Sequence, residues 1–353
     1  LGGDSEVLIN HKGQVKLGSN RIVPLSLLCH RFPAVLERLQ SSLGEGMGLA
    51  RATRFIMLPE GFEASGLPKS LSLADRDFVA RLSQQPRPYD EVVVHASDRA
   101  RVERLIDRGL VQVSGLTPSD AAHALGKQSQ WSLQAARLGC LMIARAYSLI
   151  AWNDEELDAG IDQFANLVFE AMVAKSCYLV INQLSGINFA EDDPLIKTVT
   201  QGDGRLNDLS ISLKPSIPLV AVGGPAPVFY PRVGERLHIE TVIPEHADVA
   251  NAIGAAIGHI KIRSVIEITR SEAGGYYLHQ AGTPLFFADS TQALENARRL
   301  ASEDASQRAR AMGGNSAEIN LAIERIDLPN MNLEASLISA TVIAECLSIP
   351  EPS

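Results

Sequence analysis

The residues with the clearest potential for chemistry are the glycine pair Gly223-Gly224. A glycine turn lets a ligand approach the backbone, because no Cβ stands in the way. Gly223-Gly224 follows an apolar run at 219–222, which predicts a buried strand, and precedes a helical stretch. A second strand is predicted at 239–243 and a further helix from about His246. This order predicts an α/β fold, in which ligands bind at the carboxyl ends of strands.

The same residues also have a simpler interpretation. A glycine pair ends many strands with no ligand nearby, so a plain turn is the alternative at Gly223-Gly224. Small residues can let a helix pack closely on a sheet without any ligand, and the helix after His246 carries several: Ala250, Ala252, Gly254, Ala255 and Gly258. The sequence contains no Gly-x-Ser-x-Gly, His-Glu-x-x-His or Gly-x-x-x-x-Gly-Lys string, so those hydrolase, zinc-protease and NTPase classes have no support.

Two histidines and an acidic pair are the remaining candidates. His246 stands at the end of the second predicted strand, and His123 lies on the helix after Asp120. Each histidine is either a catalytic group or a structural one with satisfied hydrogen bonds. The pair Asp192-Asp193 either binds a metal or belongs to a solvated loop before Pro194.

Three segments together resemble the hydantoinase/oxoprolinase family of the actin, sugar-kinase and heat-shock-chaperone ATPase superfamily. Residues 219–258 are similar to its adenosine-binding element. Residues 1–5 are similar to a glycine-rich turn, which a Gly-x-x-Arg-x-x-Pro phrase follows at 18–24. Residues 115–126, Gly-Leu-Thr-Pro-Ser-Asp-Ala-Ala-His-Ala-Leu-Gly, are similar to a third family element. The three motifs occur in the family's order and cover most of residues 1–260.

The resemblance implies an α/β fold with an actin-like ATPase (ribonuclease H-like) lobe over residues 1–260, including a helical section at about 129–186. It implies that residues 223–226 border the adenosine, and that residues 2–5 lie nearer the phosphates. The implied cofactor-binding residues are thus Gly223, Gly224, Pro225, Ala226, Gly2, Gly3, Asp4 and Ser5. Catalytic residues stay unknown, and no metal ligand is assigned in this chain. Residues 261–353 resemble the family only weakly and are predicted to form a C-terminal α+β antiparallel module, either structural or an interface.

The family's reaction uses ATP to phosphorylate a cyclic amide oxygen, after which water opens the ring. Its phosphate loops have the form Asp-x-Gly-Gly-Thr-x-Thr-Asp, and this string is absent from the sequence. We therefore expect a C-terminal part of a longer hydrolase, with Mg bound through upstream loops and no activity in this chain alone. The alternatives are an ATP-dependent ketone carboxylase subunit and a non-catalytic nucleotide-binding or assembly protein. A hydantoinase B-type subunit is the implied protein partner.

Composition narrows the functional classes further. The net charge of −9 over 353 residues argues against a nucleic-acid surface. Residues 98–126 predict a helix, a short extended piece and a second helix, and Thr117-Pro118-Ser119-Asp120 provides a cap residue and a proline at the start of the second helix. This is the order of a winged helix, but the second helix lacks basic residues. No uninterrupted apolar run has the length of a membrane span. The four distant cysteines form no Cys-x-x-Cys pair, which favours buried thiols in the cytoplasm: Cys29, Cys140, Cys177 and Cys346.

Local patterns predict further elements of structure. Residues 6–10 and 14–17 indicate a hairpin around Lys12-Gly13. Residues 153–156 provide an acidic helix start, and loops are expected at 65–69, 85–89 and 201–204. The last third predicts strands at 262–268, 276–279, 285–287, 318–326 and 337–344, with an antiparallel meander and a helix from Ser290 to Ala311 that ends at Gly313-Gly314.

Overall fold

The structure is a computed structural model that describes residues 2–46, 48–62, 67–68, 71–150, 156–202, 204–280, 282–328 and 337–350. It has the predicted mixed α/β class. The chain forms two compact units, Leu1–Asp248 and Val249–Ser353. The predicted loop at 65–69, the acidic start at 153–155 and Asp203 of the 201–204 loop lie wholly or largely outside the described residues.

The first unit contains short strands and eleven described helices. Its strands are β1 (Ser5–Ile9), β2 (Val15–Arg21), β3 (Val23–Pro24), β4 (Phe55–Met57), β5 (Arg87–Pro88), β6 (Gln112–Gly115), β7 (Arg205–Leu206), β8 (Leu209–Ser210), β9 (Leu219–Val220) and β10 (Thr241–Val242). Its helices are α1 (Leu25–Arg31), α2 (Pro33–Glu45), α3 (Leu49–Ala52), α4 (Leu73–Ala80), α5 (Tyr89–Val92), α6 (Ala96–Asp107), α7 (Pro118–Ala124), α8 (Leu133–Ala146), α9 (Leu157–Ser185), α10 (Pro194–Thr200) and α11 (Ala226–Leu237).

The predicted hairpin is confirmed as the antiparallel pair β1–β2, with Ile9 opposite Val15. Its turn is closed by the Asn10 side chain, which accepts hydrogen bonds from the backbone N–H of Lys12 and of Gln14 at 3.0 and 2.9 Å. Gly13 adopts a φ of 72°, which glycine tolerates best. The turn is therefore set by local chemistry that the sequence already contained.

The four-stranded sheet of the first unit has the order β3-β6-β4-β5. Strand β6 pairs with β3 in parallel and with β4 antiparallel, so it is an interior strand. The helix, extended piece and helix expected over 98–126 are α6, β6 and α7. Placing β6 inside the sheet brings Gly115, and the start of α7 just after it, next to Pro24 and the start of α1.

The predicted helical section is confirmed as α8 and α9. Ser132 caps α8 by accepting a hydrogen bond from the Ala135 N–H at 3.2 Å, and α9 ends at Gly186 in a left-handed conformation. Contrary to the sequence expectation, α9 is long and apolar enough to cross a membrane by length and composition, and among the described residues no other helix is. However, 56% of its most apolar stretch is buried within the protein, including Phe164 and Met172.

The strands around the second glycine pair are shorter than predicted. Only Leu219–Val220 and Thr241–Val242 are strands, and they pair in parallel on either side of α11. The expectation of a buried strand at 219–222 is wrong, because Val220 and Val222 are 59% and 55% exposed and only Ala221 is buried. Val220 lies in a two-stranded sheet and Val222 lies beyond its end, and both are exposed, so the apolar run did not predict burial here.

The second unit contains helix α12 (Ala250–Ile257), strand β11 (Ile260–Arg270), strand β12 (Tyr276–His279), strand β13 (Leu285–Phe287), helix α13 (Ser290–Ala311), strand β14 (Gly314–Asp327) and strand β15 (Leu337–Pro350). A 3₁₀ turn at Ala247–Val249 precedes α12, so the helix predicted from about His246 begins slightly later. Ala252 and Gly254 are exposed, which does not fit the close helix–sheet packing that small residues suggested.

The strands of the second unit form one antiparallel sheet in the order β13-β12-β11-β15-β14. The predicted meander is correct for β11, β12 and β13, but β15 inserts between β11 and β14. Helix α13 matches its predicted bounds, with Gly313 following it at a φ of 87°. Long-range pairing also lengthens β14 and β15 beyond their predicted ends, because each residue gains ladder hydrogen bonds.

Helix α13 packs on this sheet through a ladder of alanines spaced four residues apart. All five are essentially inaccessible to solvent, and they face the apolar side chains of β11 and β15: Ala293, Ala297, Ala301, Ala305 and Ala309. An alanine side chain is short, so the helix lies close to the strands. Larger side chains on this ladder have no space to occupy.

We predict that Ala301→Leu lowers the free energy of unfolding of the second unit by about 1–3 kcal/mol, because the added atoms overpack the helix–sheet contact. Gln307→Leu is the matched control, since Gln307 is exposed on the same helix. We expect the control to stay within about 0.5 kcal/mol of wild type. Urea denaturation followed by circular dichroism measures both, and equal stability of the two variants would contradict the ladder's role.

Candidate functional site

Three sequence-distant segments of the first unit meet at one place, which we call the glycine cluster: residues 2–5, 117–120 and 223–226. The Ser119 N–H donates a hydrogen bond to the Gly3 carbonyl at 2.8 Å. A Cβ added to Gly3 would overlap the Ser119 hydroxyl and lie 3.4 Å from Cβ of Pro225. The structure thus brings both predicted glycine pairs, and the Thr117–Asp120 motif, into one neighbourhood.

The turn at residues 2–5 is buried and internally hydrogen-bonded. The Ser5 N–H donates to the Gly2 carbonyl at 3.1 Å, and the Ser5 side chain is almost fully buried. The carboxylate of Asp4 lies 3.6 Å from Nε of Arg21 in a largely exposed ion pair, an arrangement that contributes little to stability. Glycine is needed at position 3 because side chains of two other segments, Ser119 and Pro225, occupy the space that a Cβ would fill or approach.

The loop at residues 223–226 lies between β9 and α11. Gly223 has a φ of 103°, and its N–H donates to the Ala247 carbonyl. Gly224 has no positive φ and is exposed, and a Cβ built on it would meet nothing within 4 Å. Gly223 is therefore explained by the turn, whereas nothing in the described fold requires a glycine at position 224.

The start of α11 offers few hydrogen-bond donors. Pro225 and Pro227 have no N–H, the Ala226 N–H is used by the Gly223 carbonyl, and the Val228 N–H by the Pro225 carbonyl. A helix start usually binds anions through free N–H groups. This one instead presents a proline-lined, mostly apolar surface that suits a base or a sugar better than a phosphate.

Asp120 is the most connected buried polar group of the cluster. Its carboxylate accepts hydrogen bonds from the Leu25 N–H, from the N–H and hydroxyl of Ser26, and from the N–H and hydroxyl of Thr117, at 2.6–3.1 Å. The pKa of this carboxyl group lies above its ordinary value, because burial raises it more than the hydrogen bonds from Ser26 and Thr117 lower it. The side chain thereby joins the start of α1 to the start of α7.

Sequence reasoning identified Thr117 and Asp120 as a helix start but missed Ser26 and Leu25. The signal for the first pair is local, because Thr117-Pro118-Ser119-Asp120 forms a capping box with proline at its first helical position. Ser26 lies 94 residues from Asp120, and only the tertiary fold brings the two together. No pattern in the sequence indicated that contact.

The two candidate histidines do not form a catalytic arrangement. His123 is buried, its Nδ1 lies 2.8 Å from the Ser119 carbonyl, and Nε2 accepts from the Trp131 N–H at 3.3 Å. Its ring also stacks on Trp131 with centroids 5.0 Å apart. His246 is exposed, and its Nε2 lies 3.8 Å from the Glu245 carboxylate. The structural interpretation is correct for His123.

One member of the acidic pair at 192–193, Asp193, has a structural explanation. Asp193 caps α10, accepting hydrogen bonds from the N–H groups of Leu195 and Ile196 at 2.8 and 3.2 Å. Within the part of the chain that the structure describes, no group of three or more histidine, cysteine or acidic side chains could hold a metal ion.

The four cysteines are buried and free, as expected from their sequence context. Burial raises the pKa of Cys29 to about 12 and that of Cys177 to about 12. Burial also raises the pKa of Cys140. Since the thiolate is the nucleophile, these three thiols are unreactive near neutral pH.

Two surface cavities of the first unit lie elsewhere. One, of about 420 Å³, is lined by the β1–β2 hairpin with α9 and α10, and the other, of about 580 Å³, by residues around Gly202 and His238. Neither is lined by a residue of the glycine cluster. A comparison with protein families, curated proteins and solved structures finds no match for this chain.

We predict that the same substitution destabilises the protein at one glycine of the cluster and leaves its stability nearly unchanged at another. Gly3→Val should lower the free energy of unfolding by about 1–3 kcal/mol, because its side chain collides with Ser119 and Pro225. Gly224→Val should change it by less than about 0.5 kcal/mol, because the added atoms meet open space. Urea denaturation of both variants measures the difference, and a large loss at Gly224 would show that the turn itself requires that glycine.

Proposed function

We propose that this chain supplies the adenosine side of an ATP site, in an ATP-dependent enzyme similar to hydantoinases and oxoprolinases that opens a cyclic amide. The observation that carries the proposal is the glycine cluster. Its three segments carry the family resemblance, they are more than 100 residues apart in sequence, and they meet in the fold.

The local topology supports a ligand at this place. Strand β9, the glycine loop, α11 and β10 form a parallel β–α–β unit, and the loop follows the carboxyl end of β9. In α/β folds the loops at this end of a strand bind ligands. We propose that the first unit is an actin-like ATPase lobe built around this unit, with Gly223, Gly224, Pro225 and Ala226 bordering the adenosine.

The division of the site between base and phosphates follows from the available donors. The prolines at the start of α11 leave an apolar wall suited to the adenosine. The turn of Gly2, Gly3, Asp4 and Ser5 would face the phosphate side, and Asp120 would hold it in place through Ser119. A nucleotide approaching Gly224 would meet bare backbone, which explains a glycine that the fold does not require.

The described residues do not fit a magnesium site. Asp4 is paired with Arg21, and no cluster of candidate ligands exists among the described residues. We therefore derive no step through a metal in this chain. The proposal assigns magnesium and both phosphate loops to residues outside those described, and a hydantoinase B-type subunit and a cytoplasmic location belong to the same proposal.

In this reaction, phosphorylation of the cyclic amide oxygen makes the amide carbon more electrophilic. Water then adds to this carbon, the ring C–N bond breaks, and the phosphoryl group leaves as inorganic phosphate. The contribution of the residues seen here is to bind and orient the nucleotide, which lowers the barrier through positioning. A ketone carboxylase subunit would use the same adenosine site for a different phosphorylated intermediate. A non-catalytic nucleotide-binding or assembly protein would bind ATP without turnover, so ATPase assays of the complete protein separate it from both enzymes.

We predict that Gly224→Val weakens ATP binding by at least tenfold in the complete enzyme that the proposal implies, because the β-branched side chain fills space that the nucleotide needs. Isothermal titration calorimetry measures the affinity, and differential scanning calorimetry measures the thermal midpoint, which should stay unchanged. Gly44→Val is the control, since Gly44 is exposed in α2 and also has open space. An unchanged ATP affinity would remove Gly224 from the site.

We also predict that the 353-residue chain alone hydrolyses no ATP above background, because it contains no Asp-x-Gly-Gly-Thr phosphate loop. A nucleotide held only at its adenosine end has no preorganised groups around its reacting phosphate. A phosphate-release assay with and without magnesium tests this. Magnesium-dependent turnover by the purified chain would contradict the assignment of the phosphate loops to another segment.

A further inference from the structure

The cavity of about 420 Å³ beside the β1–β2 hairpin has the size of a small-molecule site. We call it the hairpin cavity. Residues 13–17 form one wall, α9 forms the floor between Leu167 and Tyr178, and the end of α10 closes another side. None of these residues belongs to the glycine cluster, so the cavity is independent of the proposed nucleotide site.

Basic side chains outnumber acidic ones in the hairpin cavity, although the chain as a whole is acidic. Its lining includes Lys16, Lys175, Lys197 and Arg236, against Glu170 and Glu191. Both carboxylates are already compensated. Glu191 forms an ion pair with Lys175, and Glu170 accepts hydrogen bonds from Arg236 and from Arg232.

Two ammonium groups of the hairpin cavity have no partner within the part of the chain that the structure describes. The side chains of Lys16, on β2, and of Lys197, on α10, form no ion pair or hydrogen bond with any described residue. Lys197 is partly buried, so its charge is less well solvated than that of a fully exposed lysine. Two unpaired positive charges on two elements around one cavity match a ligand with two negative groups.

Part of the cavity lining is apolar. Leu17, Leu167, Ala171 and Ala174 line the cavity, and the ring of Tyr178 lies beneath the Lys175 ammonium group at 5.0 Å. A bare oxyanion would satisfy the lysines but would leave this apolar lining against water. An aliphatic chain between two anionic groups covers it, and burying that chain adds favourable free energy.

We propose that the hairpin cavity binds a small aliphatic dicarboxylate, with Lys16 and Lys197 each donating to one carboxylate. The amide side chains of Gln14 and Gln201 also line the cavity and supply further donors. Charge-assisted hydrogen bonds of this kind are about twice as strong as those between neutral groups. The carboxylates give orientation, and the alanines and leucines of α9 and β2 select the aliphatic chain.

Isothermal titration calorimetry with succinate as the probe, on the intact chain, tests the proposal. We expect saturable binding by wild type, and at least tenfold weaker binding by Lys197→Gln and by Lys16→Gln. Ala171→Phe, which fills the floor of the cavity, should abolish binding. Lys12→Gln is the matched control, because Lys12 is an exposed lysine of the same hairpin outside the cavity and its loss should leave the affinity unchanged.

Inorganic phosphate, titrated under the same conditions, distinguishes a dicarboxylate site from a general anion site. We expect phosphate to bind at least tenfold more weakly than succinate, because it leaves the apolar lining uncovered. Equal affinities for the two probes would overturn the dicarboxylate assignment. Absence of succinate binding, or an equal loss of affinity in Lys12→Gln and Lys197→Gln, would overturn the site itself. Thermal midpoints of all variants show whether each is folded.

Discussion

The carboxylate of Asp120 is the interaction on which the organisation of the first unit depends. It is fully buried and accepts five hydrogen bonds from the starts of two helices, α1 and α7. Each buried donor left without an acceptor costs about 1–3 kcal/mol, so these segments have a strong reason to stay together. Ser119, which lies between the two anchored residues Thr117 and Asp120, is thereby fixed where it can hold Gly3.

This arrangement separates the parts of the glycine cluster that serve the fold from the part that does not. Gly3 is required by packing, and Gly223 by its backbone conformation. Gly224 is required neither by packing nor by its backbone conformation, and the space beside it is open, next to the rigid, proline-lined start of α11. A binding surface benefits from such a combination, because a preorganised wall loses little entropy when a ligand arrives.

The sequence predicted elements well where the signals were local. Helix α13 matched its bounds because Asp289 caps its start and Gly313 follows its end, and the hairpin turn matched because Asn10 and Gly13 define it. Burial of Val220 and Val222 was predicted wrongly, since it depends on how many strands pair beside β9. The insertion of β15 between β11 and β14 required long-range pairing that no local pattern encodes.

The candidate site shows the same contrast between local signals, which the sequence contains, and long-range contacts, which it does not. The glycine pairs and Thr117-Pro118-Ser119-Asp120 were visible in the sequence. The family resemblance implied that the two glycine pairs lie around one nucleotide, but it gave the third motif no position, because sequence spacing carries no information about proximity across 100 residues. Ser26 was missed for that reason. The lysines of the hairpin cavity were missed too, since a solvated lysine and one in a cavity have the same local sequence pattern.

The alanine ladder of α13 has a consequence for how the second unit reaches its native alignment. Identical residues every four positions mean that a screw displacement of about 6 Å along the helix axis, with about 40° of rotation, nearly superimposes the ladder on itself. Apolar burial therefore discriminates poorly between neighbouring alignments of helix on sheet. The native alignment is instead selected at the two ends of the helix. At the start, the Asp289 side chain accepts a hydrogen bond from the Gln292 N–H, and at the end, Gly313 reverses the chain into β14. The two ends of this helix therefore fix its alignment on the sheet, whereas its middle would bury similar apolar surface in several alignments.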